Sequence, residues 1–196
     1  MSQTSPSLLD RLRDQPLDQD WSRLVSIYTP LIRNWLKRYA VSEQDCDDLV
    51  QEVLTVVIRR VPEFQHNQRI GAFRAWLRTI TVNCLRDFWR SKRYRPAAAG
   101  GSDFQNVLAA LEDPDSGLSQ VWNKEHDTFV TQVLLQQIQP LFELNTWKAF
   151  QRTALEGANA DQVAKELQIS VNAVFIAKSR VLARLRQEAK GLLDEQ

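Results

Sequence analysis

Apolar residues recur along this chain at helical rather than strand spacing, in runs separated by short polar breaks. The first clear run holds Trp21, Leu24, Val25 and Tyr28, then Leu31, Ile32, Trp35, Leu36 and Tyr39. Pro30 lies within it and must kink that helix or begin a new one, since it lacks an N–H and its ring crowds the preceding turn. Ser42 can cap a second helix reaching Val61, with Cys46, Leu49, Val50, Val53, Leu54, Val57 and Ile58 on a wide apolar face. Arg59 and Arg60 close it before Pro62. A loop from Phe64 to Ile70 leads into a long helix from about Gly71 to Tyr94, whose core side is Phe73, Trp76, Leu77, Ile80, Cys84 and Phe88.

Pro96-Ala-Ala-Ala-Gly-Gly-Ser then breaks the pattern, and Asp113-Pro-Asp-Ser-Gly follows with one weak helical turn, Val107 to Leu111, between them. That composition predicts a linker over 97–118. Helicity resumes with Val121, Trp122, Phe129, Val130, Val133, Leu134 and Ile138 and stops at Pro140. A helix from Asn145 to Glu156 buries Trp147, Phe150 and Leu155 and ends at Gly157, placed for a left-handed cap. In the last stretch Asn159 can cap a short helix, with Gln162 completing a capping box, and Ser170 can cap another. Val174, Ala177, Val181 and Leu185 form a buried stripe on the second of these, and a small Ala164 lets the pair cross closely. Two short helices and a tight turn describe a helix-turn-helix. The expected fold is all-α: a flexible N-terminus (1–19), a helical domain (20–96), a flexible linker (97–118) and a helix-turn-helix domain (119–196).

Charge changes this picture through its distribution. The formal net charge is only +1. Yet Arg69, Arg74, Arg78, Arg86, Arg90, Lys92, Arg93 and Arg95 crowd one stretch in which Asp87 is the only acid, while Glu43, Asp45, Asp47, Asp48 and Glu52 crowd another. Segregation of this kind suggests separate surfaces for separate partners. Thr79, Asn83, Arg86, Arg90 and Arg93 form a stripe bordered by Leu85 and Trp89. Cations, an amide and an aromatic so interleaved suit melted or single-stranded nucleic acid, though a solvated basic face reads the same way. Cys46, Cys84, His66 and His126 stand alone, so a zinc site is not expected, and two buried, reduced thiols fit a cytosolic protein. Neither a signal peptide nor a membrane span is evident, and cytoplasmic location with no membrane insertion is expected. No nucleophile–base set, phosphate loop or cofactor motif assembles, so the chain does not read as an enzyme.

The order of these parts resembles bacterial RNA polymerase sigma factors of the small extracytoplasmic-function (ECF) group, over residues from about 20 to 190. Asp45-Cys-Asp-Asp-Leu-Val-Gln-Glu-Val resembles that family's D-A-E-D-L-V-Q-E helix. Phe73-Arg-Ala-Trp-Leu-Arg-Thr-Ile-Thr-Val-Asn-Cys-Leu-Arg-Asp is similar to its F-x-x-W-L-x-x-I-x-x-N-x-x-x-D helix, and Val171 to Arg186 resembles its recognition helix. The resemblance implies a subunit that binds core RNA polymerase, with Asp48, Leu49, Gln51 and Glu52 on the β′ coiled coil. It implies that Asn83, Arg86, Trp89, Arg90 and Arg93 open and capture the −10 element. It also implies that Asn172, Phe175, Ser179, Arg180 and Arg184 read the −35 element in duplex form, in a domain that also touches the polymerase β flap. An anti-sigma factor is a further partner it implies.

Two departures touch the recognition helix. Phe175 and Ala177 stand where Lys and Arg are common, and Phe175 is open to a thymine methyl or a polymerase surface. Gln168 stands where the turn usually has Gly, which predicts a strained left-handed residue. A stand-alone helix-turn-helix regulator would explain residues 145–190 as well, but leaves the acidic helix and the basic stripe without a role.

Overall fold

The computed structural model describes residues 7–39, 41–64, 71–91 and 101–193, the side chains of 101–105 excepted. These residues form helices and turns, with an isolated bridge between Lys190 and Leu193 as their only strand-like pairing. The chain is all-α, as its periodicity predicts.

Helix α1 (Leu8–Asp14) lies in the stretch expected to be loose save for a helical turn or two over these same residues. Ser7 Oγ accepts the Asp10 N–H and the Asp10 carboxylate accepts the Ser7 N–H, a reciprocal capping box. So short a helix is not stable alone in water. What orders it is burial of Leu8, Leu9 and Leu12 in the main core. The expectation of a flexible N-terminus is therefore corrected from Ser7 onward. Helix α2 (Asp18–Leu36) runs through Pro30 as one element and ends in a tight turn, Lys37–Tyr39. Helix α3 (Glu43–Arg60) starts where Ser42 Oγ accepts the Asp45 N–H at 3.2 Å. Its predicted apolar face is buried except for Ile58. Helix α4 spans Ala72–Arg90 and ends at Ser91, whose backbone is extended, short of the expected Tyr94; residues 92–94 lie outside the described residues.

The largest correction falls on the expected linker. From Gly101 to Glu112 it is a helix, α5, and Leu108 and Leu111 on it are each 1% exposed within the main core, against α4 and α6. A hydroxyl-lined corner joins α5 to α6 (Gly117–Ile138). There Ser116 Oγ caps α6 by accepting the Ser119 N–H, and its own hydroxyl donates to the Ala110 carbonyl. The Ser119 hydroxyl donates to the Leu111 carbonyl at 3.3 Å.

Helix α6 is shared. Trp122, Val130 and Leu134 belong to the main core, whereas Ile138 joins a second cluster with Trp147, Phe150 and Val181. Helix α7 (Leu144–Phe150) continues as a π-helical turn, Gln151–Leu155, in which Leu155 is exposed rather than buried as expected. Arg152 on that turn bonds both Glu156 and Glu166. Gly157 then takes the left-handed conformation its position predicts.

Helices α8 (Ala160–Leu167) and α9 (Val171–Ala189) form the helix-turn-helix, crossing over Ala164, Val174 and Ala177. Asn159 Oδ1 caps α8 by accepting the Asp161 N–H at 2.8 Å. The capping box expected with Gln162 does not form, because that amide donates to the Glu166 carboxylate at 2.9 Å, a charge-assisted bond. Gln168 is left-handed, with φ 53 and ψ 42, as the missing glycine predicts. Ser170 Oγ caps α9 by accepting the Ala173 N–H at 3.1 Å.

Candidate functional site

Three helical faces carry the residues singled out above. On α3, Asp48, Gln51 and Glu52 are exposed, and none of these side chains has an ion pair or hydrogen bond among the described residues. Leu49, named with them, is 1% exposed and packs in the main core. Its place on the apolar stripe turns it inward, so it supports the acidic face from beneath. Asp47 is committed elsewhere, to Arg33 of α2 at 2.5 Å.

On α4 the polar stripe is only partly open. Thr79, Asn83 and Arg90 are exposed, and Trp89 is half-buried against the core. Leu85, read as bordering the stripe, is fully buried. Arg86 is held on two sides: it donates to Asn83 Oδ1 at 3.0 Å and pairs with Glu112 of α5. Arg93 lies outside the described residues.

Two further arginines of this helix face inward. Arg78 is 4% exposed and donates to the Ser119 carbonyl and to Asn123 Oδ1, both from α6. Burial, with Arg74 adding to it, lowers its pKa. Arg74 pairs with Asp127 of α6 at 2.5 Å. Asp127 also meets His126 Nδ1 at 3.0 Å, and Nε2 of that buried ring lies 3.3 Å from the Tyr28 hydroxyl. Burial raises the Asp127 pKa, but the hydrogen bonds from His126 and Arg74 and the charge of Arg74 outweigh it, and the carboxyl titrates below its usual range. Burial raises the Tyr28 phenol. Two arginines of the basic run thus fasten α6 to α4.

On α9 the solvent face is Asn172, Phe175, Ile176, Ser179, Arg180, Ala183 and Arg186, all exposed. Four of the five residues expected to read duplex DNA are on it. The fifth, Arg184, is turned toward Glu188 at 2.6 Å, and Glu188 also pairs with Arg23 of α2 at 2.6 Å. A nearly buried carboxylate between two guanidiniums ties the end of α9 to α2. Ile176 and Arg186 occupy the face and were not among the expected readers. Their positions, one turn from Asn172 and from Ala183, were the signal.

Among the described residues no group of three or more His, Cys, Asp or Glu could hold a metal, and no helix is long and apolar enough to cross a membrane. Cys46 and Cys84 are both buried and free. Burial pushes the Cys84 thiol up to about 11.

Comparison with known proteins matches residues 24–95 to sigma-70 region 2. Two curated relatives match along most of the chain. The ECF RNA polymerase sigma factor SigE of Mycolicibacterium smegmatis is 26% identical over 97% of this chain and 68% of its own length. The RNA polymerase sigma factor CnrH of Cupriavidus metallidurans is 26% identical over 89% and 86%. A solved structure of CnrH in complex with the cytosolic domain of CnrY aligns with 91% of this chain and 92% of its own at 21% identity, with a TM-score of 0.38. Residues 24–95 thus match sigma-70 region 2, with exposed carboxylates on α3 and a polar stripe on α4, and the chain as a whole is similar to ECF-type RNA polymerase sigma factors.

Proposed function

We propose that α3 docks on the β′ coiled coil of core RNA polymerase through Asp48, Gln51 and Glu52, and that α4 and α9 select the promoter. The observation that carries this is the pairing of two packed helices, α3 and α4, with open faces of different chemistry: unpaired carboxylates on one, and Thr79, Asn83 and Arg90 on the other. Exposed carboxylates meeting cations steer association and fix register. On α4, Asn83 and Arg90 offer an amide and a charge to a melted −10 strand, with Trp89 beside them for stacking. Loading that strand exchanges the Glu112 carboxylate at Arg86 for phosphate. The solvent face of α9 meets the −35 duplex, and the surrounding helix-turn-helix domain meets the β flap. An anti-sigma factor would act by covering the α3 carboxylates.

The test reverses two charges. Asp48→Arg with Glu52→Arg should lower retention on core polymerase about tenfold or more, with the helical circular dichroism unchanged. Undiminished retention would remove α3 from the interface. Separately, Asn83→Ala should lower permanganate reactivity of the melted region more than duplex binding, and equal losses would contradict strand capture.

A further inference from the structure

Resting on the reading of α9 as the duplex reader, we infer that Phe175 and Ile176 recognise the C5-methyl groups of neighbouring thymines in the upstream promoter element. The two side chains are adjacent on the first turns of α9, 57% and 44% exposed, with Asn172 and Ser179 flanking them on the same face. Large apolar groups so exposed gain nothing from water, and Val174 and Ala177 take the buried positions beneath.

The occupant is set by charge. From Val171 through Gln187 the helix has no acid, while Lys178 and Arg180 stand one turn beyond the apolar pair and Arg186 continues the run. Phosphate-binding cations following an apolar patch on an acid-free helix fit a duplex groove better than a protein surface. The shallow hollow beside Phe175 is lined by Lys178, Asn159 and Asp161. A carboxylate there disfavours a phosphate and leaves the place to a base edge. A helix-turn-helix sets the N-terminal residues of its second helix against base edges in the major groove, and there the apolar group on offer is the thymine methyl. Consecutive residues reach neighbouring bases, so the expected signature is thymine at one or two adjacent positions.

The experiment uses the full chain with core polymerase on a promoter whose start site depends on this chain. Thymines of its upstream element are replaced by deoxyuridine, which removes only the methyl and keeps every hydrogen-bonding group. Binding should weaken roughly fourfold for each methyl that is read, the value of one buried carbon. Phe175→Ala and Ile176→Ala should weaken binding to the thymine promoter and lose the deoxyuridine effect, so that protein and DNA changes are not additive. No deoxyuridine effect, an equal effect in wild type and variants, or an upstream element without thymine would each overturn the inference. Loss of core-polymerase binding by Phe175→Ala would also overturn it, by placing that ring on polymerase. If scrambling the whole element leaves binding unchanged, the reading of α9 as a duplex reader fails with it; if scrambling abolishes binding while deoxyuridine does nothing, only the methyl contact fails.

Discussion

Helix α5 provides the sharpest test of how the two ends of the chain are joined. Leu108 and Leu111 are each 1% exposed and stand one turn apart, packed against α4 and α6. Truncating a buried leucine to alanine costs about 2–5 kcal/mol through lost transfer energy and the cavity left behind. Two such neighbours share a cavity, so their effects do not simply add, and about 4–6 kcal/mol is expected for Leu108→Ala with Leu111→Ala. With a urea dependence of about 3 kcal/mol per molar, the midpoint should fall by more than about 1 M. The exposed Asn106 supplies the control: Asn106→Ala should stay within about 0.5 kcal/mol of wild type. Urea unfolding followed by tryptophan fluorescence reads the core directly, since Trp122 of α6 packs in the same cluster. Hydrogen exchange of the α5 amides in the wild type is the second readout. Protection approaching that of the surrounding core is expected if α5 opens only with it. An unchanged midpoint in the double variant, together with α5 amides exchanging at unprotected rates, would refute the packing and return the segment to a linker.

Other outcomes follow from the same coordinates. Gln168→Gly should relieve the left-handed residue and raise the melting temperature by about 2–3 °C, whereas Gln168→Val should lower it, because a β-branched side chain suits that backbone least. An Asp127→Asn variant should lose stability at neutral pH and show a flatter acid limb. The wild-type carboxyl titrates below its unfolded value, so its contribution is full above about pH 4–5 and disappears as the pH falls through the folded pKa. Urea midpoints measured from pH 7 down to pH 3 would show it, and parallel curves would count against the Arg74–Asp127–His126 cluster as a source of stability. Cys46 and Cys84 should react with a thiol reagent at pH 8 only as fast as the core opens, and both at once in denaturant. Fast labelling of either in the native protein would place it at the surface.

Sequence reading reached furthest where structure is decided locally. Ser42, Ser170, Asn159, Gly157 and Gln168 were all legible as helix ends, because a cap is chemistry between residues a few positions apart. Gln162 shows the limit even there, since the pattern for a box was present but Glu166 offered its amide a charged acceptor. Reading failed where a distant partner decides. Arg78 looks like any surface arginine in a basic run; what buries it are groups on α6, 41 and 45 residues away. Helix α5 follows a Pro-, Ala- and Gly-rich stretch that reads as a linker, although Phe104, Val107, Leu108 and Leu111 stand at i, i+3, i+4 and i+7, a helical period short enough to pass for one weak turn. Helix α1, whose Leu8-Leu-Asp-Arg-Leu-Arg-Asp could be read as a helical turn or two, is likewise ordered by long-range burial of its leucines. For the candidate site, residue types and faces were legible on α3, α4 and α9, whereas the pairing of Arg86 and of Arg184 within the chain was not.

Those pairings make the proposed surfaces unequal. Asp48 and Glu52 of α3 have no ion pair among the described residues, but Arg86 is engaged by Glu112, and the end of α9 is tied to α2 through Arg184, Glu188 and Arg23. The strengths of these ties differ. The Arg86–Glu112 pair is partly exposed, with side chains 21% and 47% accessible, and an exposed pair is worth about 1 kcal/mol or less after screening. Replacing it by phosphate therefore demands little, and Arg86 can change partner while α5 stays docked on Leu108 and Leu111. Glu188 is different, because its carboxylate is nearly buried, and separating it from either guanidinium leaves a poorly solvated charge. Release of α9 from α2 is then the more demanding step, while the face that bears Phe175 and Ile176 remains open throughout. On the proposed reading, duplex contact through the first turns of α9 needs no rearrangement of that tie. Recruiting Arg184 would need one.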